Sequence, residues 1–200
     1  MSPADELPWL PRVLSDLFGW LAATHSRGAV VGGVAVAFHS EPRLTQDIDA
    51  VALTNEEDLE ALISAGAPFG IESRIPDAVD FARRARILLL HHRPTGVDLD
   101  VSLGALDFEI EMIDRAEMRQ VGGISIPIIT AEDLIIMKLI AGRRQDLADI
   151  ERVMEANPGL DVARVRRWTE WFGDVLDSAE PVRTLETFLE HPRTRRPGNP

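Results

Sequence analysis

The sequence predicts an α+β protein that carries a helical C-terminal part. Segments with the patterns of strands and helices interleave up to residue 130, and only helical patterns follow. The chain has 200 residues, of which 45% are apolar, and this is enough to bury a substantial core. We expect one globular domain with four parts, namely an N-terminal helix in 1–26, a core in 27–130, a helical part in 131–190 and a disordered tail in 191–200.

The individual elements follow from the spacing of apolar residues and from turn residues. Apolar residues spaced by three and four predict the first helix, and strict alternation predicts strands over QDIDAVAL and VDLDVSL. A Gly-Gly dipeptide at 122–123 predicts a hairpin turn, and Thr130 is expected to cap the next helix. In order, the expected elements are helix 6–23, strand 27–31, helix 34–39, strand 46–53, helix 56–64 capped by Asn55, helix 77–84, strands 85–91 and 97–103, helix 107–116, a hairpin over 119–126, and helices 130–141, 144–156, 162–176 and 181–189.

Charge and composition exclude several classes of function. The formal net charge of −12 argues against a protein that coats nucleic acid, because phosphate neutralisation needs clustered Lys and Arg. The chain has no cysteine, which excludes disulfides, thiolate nucleophiles and cysteine-ligated zinc. No apolar run is long enough to span a bilayer and no secretory signal is visible, so we expect a cytoplasmic protein with no membrane partner.

The strongest chemical signal is Asp47-Ile48-Asp49. Residues two apart on a strand point to the same face, roughly 6 to 7 Å apart along the chain, so these carboxylates converge. Two carboxylates this close repel each other unless a cation lies between them, and hard divalent ions prefer oxygen ligands. The motif therefore predicts a metal site, and its alternative is the exposed face of an edge strand.

Two neighbouring motifs favour the metal site. Gly32 and Gly33 stand between a strand and a helix, where glycine lets the backbone approach a phosphate and the N–H groups of the helix start face it. The second alternating strand carries Asp98 and Asp100, which share a face and could bring a third carboxylate to the first two if the strands are neighbours. Three strand carboxylates beside a glycine turn are an improbable coincidence, and this favours the metal site over an exposed edge strand.

The stretch VVGGVAVAFHSEPRLTQDIDAV resembles the signature of the nucleotidyltransferase superfamily that includes DNA polymerase β. Within it, Gly-Gly-x-Ala and Arg-x-Thr-x-Asp-x-Asp resemble the AbiEii/AbiGii-type toxin nucleotidyltransferases. The likeness extends through DVSLGALDFE and IPIITAEDLIIMKLIAGRRQDLADI, and so covers residues 27–155. The resemblance implies a nucleotidyltransferase fold, in which helices flank a short mixed sheet.

The resemblance also implies a metal-binding and catalytic role for three acids. Asp47 and Asp49 are expected to bind the Mg²⁺ or Mn²⁺ ions that accompany a nucleoside triphosphate. The third acid is Asp98 or Asp100, and we favour Asp100 because its distance from the Phe108-Glu109 pair resembles the spacing in the family.

The nucleotide site implied by the resemblance includes four residues that precede Asp47 in the chain and two residues in the helical part. Gly32, Gly33, Arg43 and Thr45 are expected to contact the triphosphate. Lys138 matches a helical lysine expected near the phosphates and is assigned as catalytic. Asp146, or alternatively Asp149, matches the acidic position that follows.

Two positions have competing interpretations. Lys138 is the only lysine in the chain and lies among isoleucines and leucines, so it could also be a lysine that extends from a buried helix to solvent. Val34 stands where the family often has Ser or Thr, which removes a hydroxyl that would face the phosphates. The pair His91-His92 is not expected to share a metal ion, because adjacent strand residues point to opposite faces.

The sequence therefore predicts a metal-dependent enzyme that moves a nucleoside monophosphate from a triphosphate to an acceptor hydroxyl. The toxin-like branch implies tRNA or another RNA, or a protein side chain, as acceptor, and a cognate antitoxin as partner. One alternative is a small-molecule adenylyltransferase that modifies an antibiotic. The other is a catalytically silent protein of the same fold that only binds a nucleotide or a partner protein.

Overall fold

The computed structural model describes residues 7–41, 45–54 and 58–190. Within these ranges the chain forms nine α-helices, one short 3-10 helix and a mixed sheet of seven strands, which confirms the α+β class. The chain divides into two compact units. Unit 1 holds Met1–Phe38 and Pro42–Thr130, and unit 2 holds His39–Glu41 and Ala131–Pro200.

Unit 1 contains the whole sheet. Its strands are β1 (Arg27–Val30), β2 (Asp47–Leu53), β3 (Ile71–Ser73), β4 (Ile87–His92), β5 (Val97–Leu103), β6 (Glu117–Val121) and β7 (Ile124–Ile128). Its helices are α1 (Leu10–Ala23), α2 (Gly32–His39), which ends at the first residue of unit 2, α3 (Leu59–Ser64), α4 (Ala78–Ala85) and α5 (Asp107–Asp114), with the 3-10 helix at Ala67–Phe69.

The strand order is β3-β4-β5-β2-β1-β7-β6. The β2–β5 and β1–β7 pairs are parallel, and the other four neighbouring pairs are antiparallel. The two strands that carry the paired acids are therefore parallel neighbours, as the third-carboxylate prediction requires. They lie near the middle of the sheet, where both neighbours of each strand hold its register.

Burial along β2 and β5 shows how the acids reach the surface. In β5 apolar and polar residues alternate strictly, so Leu99 and Val101 are fully buried while Asp98 and Asp100 lie on the partly exposed face. In β2 the alternation holds only at the start, because Ala50, Val51 and Ala52 are all buried. The polar end of β2 is therefore its first three residues.

Helix α1 packs one apolar face into the core of unit 1. Its buried residues follow the predicted spacing, and the indole N–H of Trp20, which is 1% exposed, donates to the Leu62 carbonyl at 2.9 Å. On the same helix, Asp16 accepts from Nε of Arg12 at 2.6 Å and lies 2.9 Å from Nε2 of the fully buried His92. These hydrogen bonds lower the pKa of Asp16, although burial alone would raise it.

Unit 2 consists of helices, as predicted for this part of the chain. They are α6 (Ala131–Ala141), α7 (Arg144–Ala156), α8 (Val162–Val175) and α9 (Glu180–Glu190). Helix α6 is buried on nearly all sides, and this explains its almost continuous apolar sequence. Across residues 7–41, 45–54 and 58–190, no helix has both the length and the apolar character needed to cross a membrane.

Several predicted boundaries differ from the structure. Helix α3 begins at Leu59, and Asp58 caps it by accepting from the Ala61 N–H at 2.9 Å, whereas Asn55 lies outside the described residues. The strand β3 and the 3-10 helix before it were not predicted, because three-residue elements show no periodicity. The hairpins β4–β5 and β6–β7 are confirmed, and the second turns at Gly122 and Gly123, which both have positive φ. The predicted disordered tail also lies outside the described residues.

Candidate active site

Four aspartates share one face of the parallel pair β2–β5. Asp47 is directly opposite Asp98, and Asp49 is directly opposite Asp100. Between them, Ile48 and Leu99 are fully buried on the other face. The register therefore collects four carboxylates of the sequence-predicted site on one small area of the sheet.

Gly32 is fitted against the second of these acids. It is the first residue of α2 and has a φ of 61°, a left-handed conformation that glycine adopts without strain. A Cβ at this position would lie 1.9 Å from Oδ2 of Asp49, which means that the carboxylate occupies the space where a side chain would be. The backbone N–H of Val31 also donates to the Asp49 carbonyl at 2.9 Å. The start of α2 and Asp49 are thus in direct contact.

Two other predicted residues at this helix start are now placed. Gly33 is buried in the first turn of α2. Val34 is 1% exposed and contributes to the core, so a hydroxyl at this position would be buried. The absence of the Ser or Thr common in the family therefore has a packing explanation.

Thr45 holds the first acid of the pair. Its hydroxyl lies 3.0 Å from Oδ1 of Asp47, to which it donates, and the threonine itself is buried. Asp47 is exposed at the end of the strand. Thr45 therefore orients this carboxylate directly. Arg43, the other residue predicted to contact the nucleotide here, lies outside the described residues.

An arginine that sequence reasoning missed binds both acids of β5. The Arg74 guanidinium donates through Nη1 to Oδ2 of Asp98 at 2.8 Å and through Nη2 to Oδ1 of Asp100. His91, the residue opposite Asp98 on β4, lies with Nδ1 2.7 Å from Oδ1 of the same carboxylate. The adjacent His92 points to the other face, as predicted, and makes its contacts there.

The two acids of β5 differ in proton affinity. The hydrogen bond from His91 lowers the pKa of Asp98, and the charge of Arg74 adds to this effect. Burial raises the pKa of Asp100, and the negative charges of Asp47 and Asp98 raise it further, although Arg74 opposes this shift. The influence of Asp47 on Asp100 means that charges on the two strands act on each other across the β2–β5 pair.

The donor chemistry of this face fits a hard divalent cation, because its ligands are carboxylate oxygens placed two apart on one strand. The side chains as they stand do not form a finished three-ligand site. Among the residues that the structure describes, no three histidine or acidic side chains converge on one point where an ion could bind. Arg74 binds Asp98 and Asp100, so both carboxylates of β5 already have a cationic partner.

Lys138 and the acids predicted with it form a separate cluster in unit 2. The Nζ atom of Lys138 donates to Oδ1 of Asp146 at 3.0 Å and to Oδ2 of Asp149 at 2.8 Å, and all three side chains are at most 7% exposed. Asp146 also accepts from the backbone N–H of Arg143, which satisfies the start of α7, and from its Nε. Hydrogen bonds from Arg143 and Lys138 lower the pKa of Asp146 although burial would raise it.

This cluster excludes one of the two interpretations of Lys138. A lysine that extends to solvent would leave its ammonium exposed, whereas here the ammonium is buried between two carboxylates. The structure thus brings together Lys138 and both alternatives for the following acid. Their predicted contact with phosphates remains a prediction.

Arg74 could not be recognised in the sequence because the strand β3, which it directly follows, was not predicted. The backbone N–H of Arg74 donates to the Leu89 carbonyl at 2.9 Å, so the chain continues the β3–β4 pairing by one residue past β3. A three-residue strand after a 3-10 helix gives no alternation to read. The only available signal is an arginine followed closely by a proline, which is too common to be informative.

The fold is shared with solved nucleotidyltransferase structures. An antigenic nucleotidyltransferase-like protein from Paracoccidioides brasiliensis superposes with a TM-score of 0.51 and 16% sequence identity, over 87% of this chain and 90% of that one. The antibiotic-resistance factor ANT(2'')-Ia in solution gives a TM-score of 0.53 at 15% identity, over 90% of this chain and 96% of that one. These likenesses confirm the expected nucleotidyltransferase fold. No curated protein matches the sequence significantly.

Family membership rests on the sequence itself. Residues 20–167 match the family described as "Nucleotidyltransferase of unknown function (DUF6036)", and this range contains the glycine turn, all four strand acids and the Lys138 cluster. The match covers well over half of the chain. The protein therefore belongs to the DUF6036 family of nucleotidyltransferases of unknown function.

Proposed function

We propose that the protein is a divalent-metal-dependent nucleotidyltransferase whose reaction centre lies on the acidic face of β2 and β5. One observation carries the proposal. Asp49 fills the side-chain space of Gly32 at the start of a helix, Asp47 accepts from Thr45 two residues before it, and the two acids lie opposite a second pair on β5. A carboxylate pair in contact with a glycine helix start is suited to a metal-bound phosphate.

Each residue of this face has a defined part in the proposal. Asp47 and Asp49 hold the cation, and Thr45 keeps the Asp47 carboxylate oriented. Gly32 and Gly33 are assigned to bind triphosphate oxygens through the first N–H groups of α2, and a side chain at position 32 would displace the Asp49 carboxylate beside them. When bound, the ion neutralises phosphate charge and lowers the pKa of the acceptor hydroxyl. Asp100, which lies opposite Asp49, is assigned as the third carboxylate because its spacing from Phe108-Glu109 resembles that of the family.

The acceptor is the finer part of the proposal. The Arg-x-Thr-x-Asp-x-Asp motif resembles that of AbiEii/AbiGii-type toxins, and this favours an RNA end, such as that of tRNA, or a protein side chain, with an antitoxin as regulator. A structure of ANT(2'')-Ia in complex with adenylyl-2''-tobramycin has a TM-score of 0.50 and 14% identity, over 82% of this chain and 94% of that one. That likeness concerns the fold alone. Antibiotic modification is therefore the alternative that the assay must distinguish from modification of RNA or protein.

The proposal is tested by incubating the full chain with Mg²⁺ and each of the four α-labelled ribonucleoside triphosphates. Parallel reactions contain no acceptor, total RNA or tobramycin. Label on RNA or on protein supports the toxin-like reading, and label on tobramycin supports the alternative acceptor. Absence of label from every triphosphate with every acceptor would refute the enzymatic proposal.

Variants locate the reaction centre. Asp47→Asn should abolish label transfer, because it removes one of two charged ligands. Asp80→Asn changes an exposed acid on α4, whose ion pair with Arg83 spans 3.9 Å, and should leave transfer unchanged. Full activity in Asp47→Asn would place the metal site elsewhere. A comparison of Asp98→Asn with Asp100→Asn tests the assignment of the third carboxylate.

A further inference from the structure

The sheet of unit 1 ends at β6, and one side of this strand has no neighbour in the sheet. β6 is the last strand in the order β3-β4-β5-β2-β1-β7-β6, so it pairs with β7 alone. The pairing runs from Val121 opposite Ile124 to Glu117 opposite Ile128. An edge strand presents a row of backbone N–H and C=O groups with which another strand can pair.

The register with β7 shows which backbone groups of β6 point away from the sheet. Opposite residues of an antiparallel pair alternate between pairs that exchange two backbone hydrogen bonds and pairs that exchange none. Pro127 lies opposite Met118 and has no N–H, so these two residues form a pair without hydrogen bonds. Gln120, two residues further along, is in the same kind of pair. The N–H and C=O groups of Met118 and Gln120 therefore point outward, and within the described part of the chain no other segment bonds to them.

The side chains of β6 are suited to a partner strand of the same sequence. Met118 is 60% exposed and offers apolar surface on one face of the edge. Glu117 and Arg119 lie on the other face, where Nη2 of Arg119 donates to Oε2 of Glu117 at 2.5 Å. Their side chains are 49% and 42% exposed, so both charges are accessible to a second strand. The edge thus carries opposite charges on either side of an exposed methionine.

Antiparallel pairing of two β6 strands about a two-fold axis at Met118 satisfies the outward backbone groups and the charges together. In this arrangement Met118 lies opposite the same residue of the second copy and exchanges two hydrogen bonds with it. Glu117 lies opposite Arg119 of the second copy, in a pair without backbone hydrogen bonds, where side chains approach most closely. The Gln120 N–H donates to the carbonyl of Ala116 of the second copy, whose own N–H is already bonded within its chain.

Charge distinguishes this register from the two neighbouring ones. An axis at Arg119 places two guanidinium groups opposite each other, and like charges directly opposite destabilise a strand pair. An axis at Gln120 places Arg119 opposite the fully buried Val121 of the second copy, and Glu117 opposite Gly123. Of these three registers, the axis at Met118 is the one that pairs both charges.

We propose that β6 is a self-association surface, to which a second copy of this chain adds its own β6 in antiparallel orientation with Met118 at the two-fold axis. The dimer joins the two seven-stranded sheets edge to edge. The inference does not depend on nucleotidyl transfer, because it concerns a part of the sheet four strands away from β5 in the strand order. A strand of five residues buries a small area, so the dimer forms in a concentration-dependent manner.

The test is sedimentation velocity of the full chain at concentrations from micromolar to hundreds of micromolar. Wild type should change from monomer to dimer as the concentration rises. Met118→Asp and Met118→Lys each place two like charges at the axis, and each should raise the dimer Kd on the order of tenfold or more. A mixture of the two variants should regain association, because an axis at Met118 brings their opposite charges together. The control is Arg83→Glu on α4, which should dimerise like wild type.

A second pair of variants tests the charges on the other face. Glu117→Arg and Arg119→Glu each leave β6 with two charges of one sign, so each variant alone should dimerise more weakly than wild type. Their mixture should form a mixed dimer, since each chain then meets the opposite charge at both positions. Loss of the ion pair within one chain cannot produce this recovery. If Arg119→Glu does not fold by circular dichroism, the exposed Met118 variants decide the test.

Three results would overturn the inference. Wild type that stays monomeric at the highest concentration shows that β6 does not bind a second copy. A dimer that is unaffected by Met118→Asp and Met118→Lys forms through another surface. Failure of the mixed Met118 variants to associate, while wild type dimerises, rejects the axis at Met118.

Discussion

Replacing Gly32 with alanine tests the fit between the helix start and Asp49. At a φ of 61°, a Cβ costs about 1–2 kcal/mol from local crowding alone. The Cβ would also stand 1.9 Å from Oδ2 of Asp49, where ordinary contact begins at 3.4 Å, so the carboxylate must move by about 1.5 Å. An off-rotamer side chain costs about 0.5–1.5 kcal/mol, and the total loss of unfolding free energy should be about 2–3 kcal/mol.

Gly96→Ala provides the matched control. Gly96 has a φ of 70°, and no heavy atom lies within 4 Å of the Cβ that alanine would add. This variant therefore carries the backbone cost without the collision, and it should lose about 1–2 kcal/mol while keeping Mn²⁺ binding and nucleotidyl transfer. The difference between the two variants isolates the contact with Asp49.

Urea unfolding gives the two free energies, and the labelled-triphosphate assay gives the two rates. A displacement of about 1 Å in a reacting group lowers rates about 100-fold, so Gly32→Ala should fall by at least that factor when assayed below its unfolding temperature. If Gly32→Ala and Gly96→Ala lose equal stability and both keep full transfer and Mn²⁺ binding, the assigned role of the glycine–aspartate contact is wrong.

Three further outcomes concern the buried polar contacts. Lys138→Met removes the buried ammonium between Asp146 and Asp149 and leaves each carboxylate only its arginine partner, Arg143 or Arg152, so it should lower the unfolding free energy by about 3 kcal/mol in urea melts. The lowered pKa of Asp146 means that its ionised form stabilises the fold above the ordinary value of 3.8 and that this contribution disappears as the pH falls through the lower folded pKa; the stability gap between wild type and Asp146→Asn should therefore close in melts below pH 3.8. Trp20→Phe leaves the Leu62 carbonyl without its indole donor and should cost about 1–3 kcal/mol by the same measurement.

Each of these outcomes has a comparison that could contradict it. Arg166→Met breaks an exposed ion pair with Glu186 and should cost much less than Lys138→Met, so equal losses would mean that burial does not govern the Lys138 cluster. A gap between wild type and Asp146→Asn that stays constant down to pH 2 would contradict the assigned pKa shift. Trp20→Phe should not change nucleotidyl transfer measured at low temperature, because Trp20 lies in the core and not on the acidic face.

Much of the fold was predictable because most elements are long enough to show a period. Helix α1 and strand β5 follow their apolar spacing almost residue by residue, and the Gly122-Gly123 turn identified the last hairpin. β3 was missed because three residues cannot display alternation, and the start of α3 shifted because Asp58 supplies the cap. The acid pairs could be predicted for the same reason as the strands, since alternation determines which side chains share a face.

The contacts within the site were harder to predict from the sequence than the positions of its acids. The sequence indicated that Lys138 was unusual, but it could not distinguish an ammonium at the surface from one buried between Asp146 and Asp149, because that depends on how α6 and α7 pack. The role of Arg74 could not be predicted for a related reason, since its partners come from a strand more than twenty residues away in the sequence. Pairings between distant segments are set by sheet order, which local periodicity does not encode.

The buried residues between the acids have a consequence for how the protein tolerates change. Ile48 and Leu99 make no contact with solvent, yet their insertion into the core fixes the height at which four mutually repelling carboxylates stand above the sheet. A slip of one residue between β2 and β5 would bury the charges and expose the two apolar side chains, so the register is protected by both sets of residues at once. Ile48 and Leu99 thus set the position of the carboxylates. Removing a methyl group from either side chain should change the affinity for the proposed ion in a variant that still folds.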